Sequence, residues 1–144
     1  MWTHEHTVET AVGVEAIWAV LKDLDNWAQW DTSMEAVSLE GPFEVGSHVS
    51  MTPSGQEPIR SRIVEIEEHA RYADETEFGG VVLRFAHTLT RLPAGGARVT
   101  HRLEITGAAA DEVGPELGPA ITADFPEAMA GLLSHAAALP TPRV

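Results

Sequence analysis

The chain has 144 residues, 22 acidic against 9 basic side chains, a formal net charge of −13 and no cysteine. That length suits a single domain, residues 1–144, able to bury about two-thirds of its unfolded surface. The charge opposes nucleic-acid and anionic-membrane partners, and the lack of thiols excludes disulfides, thiolate metal sites and cysteine nucleophiles. Trp2 to Thr10 alternates, with Trp2, His4, His6 and Val8 on one face and Thr3, Glu5, Thr7 and Glu9 on the other, the pattern of a half-buried first strand. The segment from Met1 to His6 has neither the basic start nor the apolar core of a secretory signal. No apolar run approaches transmembrane length, so a cytoplasmic protein without integral membrane association, a monomer or homodimer, is expected.

Ala11 to Asp31 carries three of the four tryptophans. Val14, Ile17, Trp18, Leu21 and Leu24 recur at helical spacing, so one stripe of a short helix is apolar and needs a sheet to cover. Trp27 and Trp30 stand three apart beside Asn26, Gln29 and Asp31, which predicts one further helical turn whose indoles share a face. Two tryptophans at such an exit are read as core packing or as the rim of a cavity.

Met34 to Leu39 and Ser47 to Met51 are predicted strands, separated by the Gly41-Pro42 and Gly46 turn signals. Ile59 to Glu67, Arg71 to Phe78, Val81 to Leu92 and Ala97 to Thr106 are four more, joined by tight turns into an antiparallel meander. From Asp111 onward Ile121, Phe125, Met129, Leu132, Leu133 and Ala136 recur at spacings of three and four, giving a long helix. Gly114, Pro115, Gly118, Pro119 and Pro126 predict a break near Asp124-Phe125-Pro126, and the tail from Thr141 to Val144 is expected to fray.

The turns also set registers. Gly79-Gly80 suits a two-residue hairpin loop, pairing Phe78 with Val81, Thr76 with Leu83, Asp74 with Phe85 and Tyr72 with His87. The turn at Pro93-Ala94-Gly95 sets His87 opposite His101, Phe85 opposite Leu103 and Leu83 opposite Ile105. A loop at Glu68-His69-Ala70 puts Ile66 opposite Tyr72, Val64 opposite Asp74 and Arg62 opposite Thr76, although Ile59 and Ile63 argue for the other parity. One sheet face then carries Val, Leu, Ile and Phe around a polar cluster of His87, His101, Tyr72, Asp74 and Arg62. Ionisable groups on an apolar wall cost free energy unless they pair or titrate, so the cluster marks a candidate pocket.

The order of strand, short helix with a central Trp18, Leu21-x-Asp23, Trp27-x-x-Trp30-Asp31, a run of strands, Gly107 and a closing Ala/Leu-rich helix resembles the START-like helix-grip superfamily, SRPBCC, in its polyketide cyclase/dehydratase and lipid-transport branch. The resemblance covers nearly the whole chain. It implies an α+β fold: a curved antiparallel sheet of about seven strands wrapped round a long C-terminal helix, with two short helices after strand 1. It also implies that the first strand lies beside the last, so that His4 or His6 extends the His101–His87 row.

His87 and His101 read either as neutral core histidines or as pocket residues. In a binding protein the pocket takes a small hydrophobic, aromatic or polyketide- or lipid-like molecule, contacted by Trp27, Trp30, Asp74, Phe85, Leu103, Phe125, Met129, His4 and His6. In a cyclase, aromatase or dehydratase, His87 or His101 is the general acid/base, while Arg62 or Tyr72 polarises a carbonyl. Arg62 reads equally as the ion-pair partner of Asp74. No cofactor is expected and no tight metal motif is present, although three imidazoles can hold zinc. A third class, a protein-interaction module with an exposed apolar patch instead of a cavity, also occurs among such folds.

Overall fold

A computed structural model describes residues 1–139; the tail expected to fray lies outside them. β1 (Trp2–Thr10) leads into α1 (Val14–Leu21), a 3-10 helix (Leu24–Gln29), and then β2 (Met34–Glu40), β3 (His48–Pro53), β4 (Ile59–Glu67), β5 (Arg71–Phe78), β6 (Val81–Arg91) and β7 (Ala97–Thr106). Two helices follow, α2 (Ala110–Thr122) and α3 (Phe125–Ala137). The strands form one antiparallel sheet in the order β1-β7-β6-β5-β4-β3-β2. The meander therefore runs from β2 to β7, and β1 closes against the last strand.

The Gly79-Gly80 hairpin is a two-residue loop with both glycines at positive φ, 54° and 86°, the geometry whose twist matches that of the flanking strands. It pairs Phe78 with Val81 and carries the register up to Tyr72 opposite His87. The next turn sets His87 opposite His101 and Phe85 opposite Leu103. β4 departs from the simple hairpin. Ile66 lies opposite Tyr72 as expected, but a bulge between Ile63 and Glu65 puts Ile63, not Val64, opposite Asp74, and Arg62 opposite Glu75. One extra residue in one strand reverses the parity beyond it. Both apolar sets of β4 thus face inward, one on each side of the bulge.

α1 forms on its apolar stripe and buries Val14, Ile17, Trp18, Val20 and Leu21. The 3-10 helix is tied to the far edge of the sheet by the Leu39 amide, which donates to Asp25 Oδ1 at 2.9 Å. The C-terminal helix is broken between Thr122 and Phe125, and Pro126 sits in the first turn of α3, where its missing amide costs nothing. α2 runs through Pro115 and Pro119. Its Gly114 and Gly118 form a groove for Trp2: a Cβ on Gly114 would come to 2.7 Å from Trp2 Cβ, and one on Gly118 would overlap the indole.

The interior is two apolar clusters. One gathers α1, the 3-10 helix and α3 against the sheet around Ile17, Trp27, Leu89, Val99 and Met129. The other lies under α2 around Val81, Leu83, Leu103, Ile105 and Phe125. A row of polar side chains crosses the inner face of the sheet between them.

Candidate functional site

That row is His6, His101, His87 and Tyr72, each opposite the next across β1, β7, β6 and β5. His6 is half-buried on the edge strand, while Tyr72, His87 and His101 are buried. The His87 and His101 rings meet edge to face with centroids 4.2 Å apart. Tyr72 lies 5.9 Å from His87 and donates its hydroxyl proton to Asp74 Oδ2 at 2.9 Å. Further along β5 and β4, the buried Thr76 and Ser61 hydroxyls are hydrogen-bonded to each other.

Burial governs the protonation states. It pushes the Asp74 carboxyl up to about 7 against the opposing pull of the Tyr72 hydrogen bond and the Arg84 charge. Burial, helped by the Asp74 charge, raises the Tyr72 phenol. Burial also lowers the His87 imidazole to about 4, and it holds His101 well below its ordinary value, with His87 and His6 adding repulsion. At neutral pH both imidazoles are therefore uncharged, each carrying one N–H donor and one lone pair. Asp74 Oδ1, His87 Nδ1, His101 Nε2 and Trp30 Nε1 are buried and have no hydrogen-bond partner among the described residues. Each such group costs about 1–3 kcal/mol when left unpaired. Three of them, on Asp74, His87 and His101, stand on the neighbouring strands β5, β6 and β7 and leave unused hydrogen-bonding capacity in an otherwise apolar interior.

The 3-10 helix covers this row. Trp27 packs 5.5 Å from Tyr72 and 5.6 Å from His87, and its Nε1 donates to the Leu21 carbonyl at 2.8 Å. Trp30 lies 5.5 Å from Trp27. Both tryptophans are 5 % exposed, so of the two readings, core packing and cavity rim, the structure has the first: the shared face of the 3-10 turn points into the core. Phe43, from the β2–β3 loop, stacks on Tyr72 at 6.1 Å.

Other predicted residues divide by place. Phe85 and Leu103 flank the row from inside the sheet, and Phe125, at the helix break, lies 6.1 Å from His101. Met129 is buried in α3 on the opposite side, in the other apolar cluster. His4 is one inward position beyond His6, exposed and stacked on Trp2 at 6.1 Å, so His6 and not His4 extends the row. Arg62 is corrected outright. It is exposed on the outer face, because the β4 bulge reverses its parity, and it makes no ion pair with Asp74. Thr76 is buried on the inner face, as the hairpin register places it. Ser61 and Phe43 are inward residues not anticipated; the parity of Ile59 and Ile63 was the signal for Ser61.

A concavity of ≈ 360 Å³ is lined by the turn of the β5–β6 hairpin, Glu77 to Val82, and another, of ≈ 40 Å³, by Val20, Trp30, His135 and neighbours. Among the described residues no three His, Asp or Glu side chains are placed to hold a metal ion, and no helix is long and apolar enough to cross a membrane.

The sequence model of the family described as polyketide cyclase / dehydrase and lipid transport matches residues 1–138. Several solved structures share the fold. The Zhui aromatase/cyclase from Streptomyces sp. R1128 superposes with a TM-score of 0.77 at 18% identity, covering 94% of this chain and 93% of that one. Norcoclaurine synthase from Thalictrum flavum, in complex with dopamine and hydroxybenzaldehyde, gives 0.76 at 12% identity, covering 97% and 88%. A START superfamily protein from Mycobacterium smegmatis gives 0.70 at 13% identity, covering 91% and 93%. At these identities the likeness establishes the helix-grip fold. No curated protein matches the sequence.

Proposed function

The chain belongs to the polyketide cyclase / dehydrase and lipid transport family, and from that premise we propose that it binds a small hydrophobic ligand, aromatic or polyketide- or lipid-like, against the inner face of the sheet. The observation that carries this reading is the set of buried, unpaired polar atoms on Asp74, His87 and His101, set among apolar side chains. Binding sites commonly combine apolar walls with a few convergent polar groups. Trp27 packs on Tyr72 and His87, so the ligand enters by displacing its indole from them. The cost of that displacement is offset when the ligand supplies apolar area and hydrogen bonds in its place. The protein acts in the cytoplasm as a monomer or homodimer.

A second reading is supported by the uncharged state of the two imidazoles. A buried imidazole with a free lone pair at neutral pH can remove a proton, the step that opens an aldol cyclisation or dehydration. His87 or His101 is then the base. Tyr72 can polarise a carbonyl only by leaving Asp74, and Arg62 has no part.

Titration with N-phenyl-1-naphthylamine tests the first reading, following the emission of the probe and of tryptophan. Saturable one-to-one binding with a change in tryptophan emission is expected, weakened in H87Q and H101Q. Turnover of an aromatic polyketide-like substrate that is lost in either variant while affinity persists selects the enzyme reading. Absence of saturable binding removes both, and leaves the closed interior to a protein-interaction module.

A further inference from the structure

The charge of the ligand follows from where the cations are. On β4, β5, β6 and β7, arginine occupies outward positions that alternate with the buried residues. Arg84 is held outside by Glu65 and Glu75, and Arg102 by Glu5 and Glu104. Arg71 and Arg98 pair there with Glu65 and Glu9, and Arg60 with Glu40. Arg62 is exposed. Arg91 shares the inward parity of His87, but it stands at the exposed end of β6, paired with Glu15 at the start of α1. Lys22 is exposed at the end of α1.

The buried polar side chains are therefore hydroxyls, two imidazoles and one carboxyl: Ser61, Thr76, Thr122, His87, His101 and Asp74. No buried ammonium or guanidinium is present among the described residues. A carboxylate brought to this face loses its hydration without gaining a counter-charge. The net charge of −13 also opposes its approach. A buried ammonium needs Asp74 fully ionised, against the burial that favours its neutral form. An uncharged hydroxyl or carbonyl meets neither obstacle. The free positions on His87 and His101 offer it both donor and acceptor partners, and Trp27, Tyr72 and Phe43 offer ring faces.

Resting on the binding reading above, we propose that the ligand is an uncharged hydroxy- or oxo-aromatic molecule, and that the interior excludes acidic ligands because, among the described residues, every lysine and arginine lies outside it. The test compares three probes of one shape, 2-naphthol, 2-naphthoate and 2-naphthylmethylammonium, by calorimetric titration of the wild-type protein near neutral pH at fixed ionic strength. Naphthol is expected to bind about tenfold or more tightly than either ion, the least that burial of an unpaired charge implies. Naphthoate binding as tightly as naphthol overturns the inference and leaves the binding reading standing. Tighter binding of the ammonium overturns the uncharged assignment in favour of a cation site at Asp74. Failure of all three to bind removes the inference together with the reading it rests on.

Discussion

Asp74→Asn alters a side chain that is 1 % exposed and bonded on one oxygen only, to Tyr72. Burial moves the carboxyl from 3.8 to about 7 in the folded protein. A folded-state value above the unfolded one means that the native state holds the proton more tightly. This group's contribution is therefore fully present below about pH 4, falls as pH rises, and is lost once pH passes about 7. The separation of about three pH units corresponds to about 4 kcal/mol between the two ends. Asparagine keeps the shape and can still accept from Tyr72, but it never ionises. Its buried amide costs about 1–3 kcal/mol if unpaired, a cost independent of pH. The variant is thus expected at or below wild-type stability near pH 4 and above it near pH 8, with the difference moving by several kcal/mol. Urea unfolding of both proteins at the two pH values measures it. The titrations of His87 and His101 are common to both chains and drop out to first order. A difference that does not change with pH would show that Asp74 ionises without penalty, and would refute the description of the row as buried and uncharged.

The histidines give the opposite sign. The folded-state values of His87 and His101 lie below the ordinary 6.5, so their contribution is intact above that pH and is lost as pH falls below it, for His87 toward about 4. The H87Q/H101Q double variant should flatten the acid side of the stability profile in urea; an unchanged acid limb contradicts their burial as neutral groups. G118A should lower stability by about 1–3 kcal/mol because its methyl overlaps the Trp2 ring. In a W2A background the same change should gain up to about 1 kcal/mol from helix propensity, and thermal melts of the four chains report whether the sign reverses. R62A should stay within about 0.5 kcal/mol of wild type, with unchanged probe affinity; a larger loss would put Arg62 back at the site.

What could be read from the sequence was whatever a local turn decides. Gly79-Gly80 and Pro93-Ala94-Gly95 fix hairpin geometry within a few residues, and alternation then carries the register to His87 and His101. The helix break likewise follows from Pro126, which has no amide to donate. β4 was harder because Ile59 and Ile63 favour one parity and Ile66 the other. Only the bulge at Val64 satisfies both, and its placement depends on what β5 offers across the pair. The orientation of Trp27 and Trp30 is another long-range matter. Spacing of three sets them on one face, but which way that face turns depends on how the 3-10 helix is anchored between Leu21 and β2. Gly114 and Gly118 similarly read as helix-weakening residues, whereas Trp2, more than 100 positions earlier, makes them a packing groove.

The central claim is that a ligand meets the row of His101, His87 and Tyr72 on the inner face, and imidazole nuclear magnetic resonance tests it most directly. Nitrogen-15-labelled protein is titrated with 2-naphthol, and the histidine signals are assigned through H87Q and H101Q. The His87 and His101 resonances are predicted to move together and saturate with the ligand, while His48 and His135 stay in place. Saturable binding that shifts only histidines outside the row, or that leaves every imidazole unmoved, would contradict it.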